Sequence, residues 1–256
     1  MFRDIDNCIF ADDIAYVSKT GVIVGYPDKT FKPNQPITRG ELAAVIHRTM
    51  LRDGVFMDVL PYVMPFVVEI RSSKKLGSGV YVYGDDVNGG YILTCRHVVE
   101  GSENLQFTII TYEGKSIPGT YKTVSAVPNE DLALIITDSC IPGPRLFLGS
   151  PVVQGQPVAV IGSPLGLREN VTVGIVSNIS RHENSWFGLD APINPGNSGG
   201  PIVNERSELV GLAVAKIIDA AMPEVGVEGL GYGIKLEIIK KFLNRIWPDR
   251  VGKIPT

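Results

Sequence analysis

The chain has 256 residues, enough for one large β domain or for a mid-sized domain joined to a small one. Its hydrophobic content of 44% and charged content of 20% are ordinary for a globular protein, and its net charge of −3 gives no basic footprint for nucleic acid or an anionic membrane. The sequence has no apolar run of about 18 residues, so it predicts no transmembrane segment. No secretory signal is visible in "MFRDIDNCIF". Three widely spaced cysteines define neither a disulfide framework nor a CxxC metal site.

Residues 1–50 are predicted to form a small helical module, with two helices around a loop. Apolar residues recur at helical spacing between Phe10 and Val17. The stretch 25–36 is dense in Pro, Gly, Asp and Asn, which predicts a loop. Thr38 and Glu41 then form a capping box at the start of a second helix. Two such helices bury little surface, so this module is expected to need a neighbour.

Residues 51–64 are predicted to be a linker, and residues 65–256 a mainly β domain. Its short runs are rich in β-branched residues and bounded by Gly, Pro or Asn: "FVVEI", "GVYVYG", "GYILT", "LQFTII", "DLALIIT", "PVAVIG", "VTVGIVSNI", "PIVN" and "LVGLAVAKI". Strands at this density without intervening helices predict an antiparallel sandwich or barrel. Apolar residues on one face between Ile238 and Ile246 predict a C-terminal helix.

The stretch "INPGNSGGPIVN" raises two interpretations of Ser198. Glycines on both sides of it could simply serve a tight turn, where the backbone needs positive φ. A nucleophilic serine also needs such a turn, because its backbone N–H groups must point at a developing oxyanion. The motif alone does not decide between them.

A serine hydroxyl needs an adjacent base, and the chain has three histidines. His47 falls in the second predicted helix and His182 in a polar turn, so both are expected to be ordinary surface residues. His97 follows the strand "GYILT" directly, where a side chain is displayed at a strand end. His97 is therefore the candidate base. Cys95, two residues earlier, could pair with it as a nucleophile, but a buried structural thiol is the favoured interpretation.

The third group should be a carboxylate that accepts the imidazole Nδ1–H. Glu130 and Asp131 stand at the head of the apolar strand "DLALIIT". Because successive strand residues face opposite sides, only one of them can point inward. Asp131 fits the shorter reach, and Glu130 is expected to be solvated.

These motifs together resemble the chymotrypsin-like serine proteases, and in finer detail their HtrA/DegP-type branch. The resemblance covers residues 66–246 and rests on "GSGVYV", "GGYILTCRHVV", "DLALI", "VAVIGSPLGLRENVTVGIVS", "DAPINPGNSGGPIVN" and "GLGYGIKLEIIKKFL". It implies a chymotrypsin-like double six-stranded β-barrel with a catalytic triad of His97, Asp131 and Ser198. It also implies an oxyanion hole formed by the backbone N–H groups of Gly196 and Ser198. No metal or cofactor is implied.

The same resemblance assigns the substrate pocket to the segment before Ser198 and the strand after it. Pro192 and Ile193 would form one wall, and Leu212, Ala213 and Val214 the other. Because no acid occurs in the six positions before Ser198, the pocket is expected to accept aliphatic side chains and to exclude Lys and Arg.

Residues 1–50 resemble a single S-layer homology module, on the motifs "FRDI" and "GVIVGYPDKTFKPNQPITRGEL". Such modules bind bacterial cell-wall polysaccharide, which would here involve Asp28, Arg39 and Glu41. Self-association of the module, or a role as a helical appendage, is the alternative.

The sequence thus predicts a serine endopeptidase that cleaves unfolded or extended protein segments. Attachment to the bacterial wall predicts a cell-surface or extracellular location. Because no signal peptide is visible, a cytoplasmic location stays open. The expected partners are protein or peptide substrates and wall polysaccharide, with a homo-oligomer as an open alternative. Two other functions are weighed: a non-catalytic surface protein that binds peptides with a protease-like fold, and a structural wall component.

Overall fold

A computed structural model describes residues 2–5, 8–19, 23, 25–26, 28–42, 45, 56, 59–72, 75–85, 89–101, 106–124, 130–138, 147–163, 170–181, 185–214 and 231–246. The chain divides into two compact units, residues 1–55 and residues 56–256. None of the described helices is long and apolar enough to cross a membrane.

The first unit contains helix α1 (Ala11–Lys19) and a helical segment at residues 39–42. The predicted capping box is confirmed, because Glu41 Oε2 accepts the Thr38 N–H at 2.8 Å and Thr38 Oγ1 accepts the Glu41 N–H at 3.2 Å. The carboxylate of Asp4 fixes the loop between the helices by accepting backbone N–H groups at 2.7 and 2.8 Å.

The apolar stripe predicted for α1 is only partly present. Ile14 is buried, but Phe10, which precedes the first helical residue, is 58% exposed. Gly21, which the sequence predicts as the C-cap of this helix because a glycine commonly follows a helix end, lies outside the described residues.

Six strands of the second unit form a first closed antiparallel barrel, in the order β1-β2-β3-β6-β5-β4. Alternating residues of these strands, such as Val80, Ile92 and Ile109, are fully buried inside it. The strands are β1 (Val67–Arg71), β2 (Leu76–Asp85), β3 (Gly89–Cys95), β4 (Gln106–Ile110), β5 (Ser116–Val124) and β6 (Leu132–Thr137).

The remaining strands form a second sheet in the order β11-β8-β9-β10-β13-β12-β7. An additional antiparallel pairing of β11 with β12 closes six of them into a second barrel, and β7 adds to β12 as a short parallel edge. The predicted double six-stranded β-barrel is therefore confirmed. The strands are β7 (Phe147–Leu148), β8 (Pro157–Gly162), β9 (Asn170–Arg181), β10 (Trp186–Leu189), β11 (Pro201–Val203), β12 (Glu208–Val214) and β13 (Gly231–Lys235).

Among the described residues of the second unit, three short helices accompany the strands. Helix α2 (Leu60–Val63) runs into a 3-10 turn (Met64–Phe66), helix α3 (Arg96–Val99) follows β3, and helix α4 (Leu236–Ile246) follows β13. The buried residues of α2 and the turn join the core, so the second half of the range predicted as a linker packs on the barrels. The predicted C-terminal helix is present as α4, whose buried face carries Leu236, Ile239, Phe242 and Leu243.

Candidate active site

His97 and Asp131 are brought together by the pairing of β3 with β6. Cys95 lies opposite Leu132 in that pairing, so the residues just beyond the end of β3 meet the residue just before β6. His97 Nδ1 lies 2.6 Å from Asp131 Oδ2, and the His97 backbone N–H donates to Asp131 Oδ1 at 3.0 Å. The carboxylate thus holds both the ring and the backbone of the histidine.

The backbone of Asp131 has a shape that few non-glycine residues adopt. Its φ is +44°, in the left-handed region. The Asp131 carbonyl oxygen accepts the Arg96 N–H at 2.9 Å, and its side chain accepts from His97, so the neighbouring chain holds this conformation. Strained backbone of this kind is concentrated at functional sites.

Ser198 lies in the loop between β10 and β11, inside a series of tight turns. The Asn197 N–H donates to the Asn194 carbonyl at 3.0 Å, and the Gly200 N–H donates to the Asn197 carbonyl at 2.9 Å. Gly199 has φ +83°, and a Cβ there would overlap Thr94 Oγ1 and the Ser78 carbonyl oxygen. The glycines beside Ser198 therefore serve a tight turn, as one interpretation held, and that turn aims the serine at a cleft.

His97 and Ser198 line the same cleft, although one follows a strand of the first barrel and the other lies in a loop of the second. The cleft has a volume of about 410 Å³, and its other lining residues are Lys75, Leu76, Val98, Pro195 and Gly196. The Lys75 ammonium donates to the His97 carbonyl at 2.6 Å at the edge of this cleft. A histidine oriented by a carboxylate and a serine in a glycine turn therefore share one solvent-accessible space.

Ser78, in β2, is a residue near the site that the sequence interpretation did not select. Its N–H donates to the Ser198 carbonyl at 2.8 Å, and its Oγ donates to the Gly196 carbonyl at 2.7 Å. The same Oγ accepts the Ser163 N–H at 2.9 Å, and the Ser78 side chain is fully buried. Its place between two glycines, in "GSG", is the only local signal in the sequence.

Cys95 is a buried structural thiol. Its Sγ donates to the Ala213 carbonyl at 3.3 Å, and burial, followed by the charge of Asp131, raises its pKa well above the usual value. A protonated thiol is neither an effective nucleophile nor a metal ligand. The ligating atoms of Cys95, His97 and Asp131 lie within 4.8 Å of one another, but hydrogen bonds already occupy all three groups.

Glu130 is not solvated, so that prediction was wrong. It is only 6% exposed, and its Oε2 accepts from Arg245 Nη2 of α4 at 2.6 Å. This hydrogen bond raises the pKa of Arg245 above its usual value. The partner lies 115 residues further along the chain, so no local pattern indicated it.

The apolar residues predicted to line the substrate pocket fall into two separate core clusters. Ala213 and Ile193 pack in the same apolar cluster, whereas Leu212 and Val214 belong to the other core cluster. Because neighbouring strand residues face opposite sides, Leu212 and Val214 cannot line a pocket with Ala213. Leu212 and Val214 therefore do not form one pocket wall with Ala213, contrary to the expectation from the sequence. Pro192 is exposed beside Ile193.

Asp190, the acid nearest to this pocket along the chain, is already engaged. Its Oδ1 accepts the Ile175 N–H at 2.6 Å. A carboxylate that is held on the backbone of β9 is not aimed as a counter-ion for a basic substrate side chain.

In the first unit, two of the three residues assigned to wall binding fix local structure. Asp28 Oδ1 accepts from Thr30 Oγ1 at 2.6 Å, and Glu41 Oε2 accepts from Thr38, and these hydrogen bonds lower the pKa of both acids. Arg39 is exposed. His47 and His182, the other two histidines, lie outside the described residues.

The chymotrypsin-like class of fold is defined by two closed barrels. One barrel carries a His–Asp pair at the end of a strand, and the other carries a glycine-flanked serine in a loop. Residues 77–212 match the family model of the trypsin-like peptidase domain, and residues 2–43 match that of the S-layer homology domain. The chain belongs to the trypsin-like peptidase family.

Individual proteins agree with this assignment. A Do-like protease of Arabidopsis thaliana is 33% identical over 192 residues, which cover 68% of this chain and 42% of that protein. An HtrA-like serine protease of Staphylococcus aureus (strain MRSA252) is 33% identical over 201 residues, which cover 72% and 25%. The chain thus spans less than half the length of these two relatives. The crystal structure of the serine endoprotease from Yersinia pestis is similar with a TM-score of 0.61 and 29% identity, covering 76% of this chain and 67% of that one.

Proposed function

We propose that the chain is a serine endopeptidase of HtrA-like type in which Ser198 is the nucleophile, His97 the general base and acid, and Asp131 the group that orients the histidine. The observation that carries the proposal is the 2.6 Å contact between His97 Nδ1 and Asp131 Oδ2, on a ring that lines the same cleft as Ser198. Asp131 accepts the Nδ1–H, which leaves Nε2 unprotonated and able to take a proton.

In the acylation step, His97 Nε2 removes the Ser198 Oγ proton while Oγ attacks the scissile carbonyl carbon. The imidazolium that forms is stabilised by the Asp131 carboxylate, and it returns the proton to the leaving amine as the C–N bond breaks. A water molecule then attacks the acyl ester with the same histidine as base, which releases the product acid and regenerates Ser198. The mechanism needs neither metal nor cofactor.

The carbonyl oxygen becomes negatively charged in the tetrahedral intermediate. We assign its stabilisation to the backbone N–H groups of Gly196 and Ser198, which belong to the glycine turn. Gly196 has φ +104°, a conformation that a side chain would disfavour, and it lines the cleft beside Ser198. Preorganised donors of this kind are the largest catalytic contribution in many acyl-transfer enzymes.

The substrates are unfolded or extended protein segments, and Ile193 and Ala213 form the apolar part of the pocket for the residue before the cut. A guanidinium or ammonium would lose its hydration there, with Asp190 already bonded to β9. An aliphatic side chain gains about 1.5–3 kcal/mol from burial. The residue before the scissile bond is therefore small or medium-sized and aliphatic.

The match of residues 2–43 to the S-layer homology domain supports attachment of the enzyme to cell-wall polysaccharide at the bacterial surface. Asp28 and Glu41 would act there indirectly, by holding the loop and the helix start, and the exposed Arg39 would contact the polymer. One module lacks the avidity of linked modules, which can raise binding by about 10²–10⁴. Attachment through this unit alone is accordingly weak.

Labelling of the full chain with a fluorophosphonate probe tests the activity. The wild-type chain and a Ser180→Ala control, which alters an exposed serine of β9, should be labelled, whereas Ser198→Ala should not be. His97→Ala should slow labelling strongly, because the serine then lacks its base. If the folded wild-type chain is not labelled, the alternative function, peptide binding without catalysis, replaces this proposal.

A further inference from the structure

We infer that Ser78 is the positioning residue of the oxyanion hole. The inference rests on the proposed function, because it concerns the two residues whose N–H groups would bind the oxyanion. Ser78 bonds to the carbonyl oxygens of both: its N–H donates to the Ser198 carbonyl at 2.8 Å and its Oγ donates to the Gly196 carbonyl at 2.7 Å. One residue of the first barrel thus fixes the backbone of both hole residues.

The direction of the Ser78 hydroxyl proton is set by its surroundings. A hydroxyl has one proton and two acceptor sites. Because Ser78 Oγ accepts the Ser163 N–H at 2.9 Å, its own proton is free to point at the Gly196 carbonyl. The Ser78 carbonyl accepts from Thr94 Oγ1 at 2.7 Å, and the residue is fully buried, so water does not compete for these bonds.

Only the two backbone torsions φ and ψ separate the N–H and the C=O of one residue. A carbonyl whose direction is fixed therefore restricts the direction of the N–H. This restriction matters most at Gly196, because glycine is the residue with the widest choice of φ and ψ. Its φ of +104° is one of several conformations open to a glycine, and the hydroxyl of Ser78 holds its carbonyl in one direction. Without that bond the Gly196 peptide groups can turn, and a hole donor that leaves its position costs about 10²–10³ in turnover.

The hydroxyl also joins the two barrels at this point. Ser78 belongs to β2 of the first barrel, Ser163 follows β8 of the second, and Gly196 lies in the loop before β11. The space around the hydroxyl is tight: a Cβ added at Gly162 would lie 2.9 Å from Ser78 Oγ. A water molecule therefore has little room to replace the hydroxyl in a shortened side chain.

Steady-state kinetics and inhibitor binding on the full chain test this role. Ser78→Ala should lower kcat by about 10- to 100-fold with KM within about twofold, because only the transition state uses the hole. The affinity for a peptide boronate, whose tetrahedral adduct places an oxygen in the hole, should fall by a similar factor. The matched control is Thr137→Val, which removes another fully buried hydroxyl that donates to a backbone carbonyl, that of Gly90.

Thr137→Val should keep the wild-type kcat and boronate affinity even if the protein becomes less stable. If Ser78→Ala does not fold, Ser78→Cys replaces it, since it fills the same space with a weaker donor and should show an intermediate loss of kcat at unchanged KM. Wild-type kcat and boronate affinity in the folded Ser78 variant would overturn the inference while leaving Ser198 as the nucleophile. A wild-type chain that the fluorophosphonate does not label would instead remove the proposed function itself.

Discussion

Replacement of Arg245 should reveal how much burial strengthens an ion pair in this protein. Among the described residues, two ion pairs of a lysine or arginine have the same N···O separation of 2.6 Å, Arg245–Glu130 and Lys115–Glu113. The Glu130 side chain is only 8% exposed and that of Arg245 45%, whereas the other pair is 67% and 74% exposed. The two pairs therefore have the same N···O distance and differ in the burial of their side chains.

The two pairs should differ clearly in coupling energy. Exposed pairs contribute about 0.2–1 kcal/mol, and loss of one partner of a fully buried pair costs about 3–5 kcal/mol. Because the guanidinium is half-exposed, we expect Arg245→Met to cost about 2 kcal/mol, since it leaves the Glu130 carboxylate buried without its counter-ion. At about 2–4 °C per kcal/mol for a domain of this size, Tm should fall by about 4–8 °C.

The measurement is a pair of double-mutant cycles by denaturant unfolding of the full chain. One cycle uses Glu130→Gln with Arg245→Met, and the other Glu113→Gln with Lys115→Met. The first coupling should exceed about 1 kcal/mol and persist in about 1 M salt, and the second should stay below about 0.5 kcal/mol and vanish there. Equal coupling energies, or a first coupling that salt abolishes, would refute the reasoning that burial strengthens the pair.

Four further predictions concern the proposed site and the first unit. Asp131→Asn should lower kcat by about 10⁴ through the wrong imidazole tautomer, whereas Asp138→Asn, which alters an exposed acid just beyond β6, should leave kcat unchanged; equal losses would remove Asp131 from the triad. Of two peptides that differ only in valine or arginine before the scissile bond, the valine peptide should have the higher kcat/KM, and a tenfold preference for arginine, about 1.4 kcal/mol, would contradict the pocket assignment. Cys95 should resist iodoacetamide at pH 8 until the protein unfolds, as followed by peptide mass spectrometry, because burial excludes the reagent and raises the thiol pKa; rapid alkylation of the folded chain would show that the thiol is accessible. Purified bacterial cell wall should retain the full chain better than a chain starting at residue 60, and equal retention would leave residues 1–50 as an appendage without an anchoring role.

The strands that the sequence indicated are those whose residues are rich in β-branched and aliphatic types. "DLALIIT" becomes β6, five of whose six residues are fully or almost fully buried. Four strands were not predicted: β5, β7, β10 and β13. Pro118 and Gly119 interrupt the pattern of β5, glycines interrupt β10 and β13, and β7 has only two residues. Glycine and proline have low β-propensity, so these strands form because the barrel supplies their partners.

The chemistry of the candidate site was easier to predict than its support. His97, Asp131 and Ser198 are indicated by residue types that acyl transfer requires. Ser78 acts across 118 residues of sequence, on Gly196, through a hydroxyl that any buried turn could contain. The burial of Glu130 depends on a helix at the other end of the domain. Such contacts arise from the closed topology of two barrels, which no local spacing encodes.

The division of the proposed triad between two barrels has a consequence for biosynthesis. A ribosome completes the first barrel, with His97 and Asp131, before it adds the first strand of the second, and Ser198 follows some sixty residues after the first barrel's last strand ends at Thr137. Neither barrel alone carries both the base and the nucleophile. Under the proposed mechanism the emerging chain cannot cleave peptides while its own strands are still extended and open to cleavage, and activity would begin only when the second barrel has closed against the first.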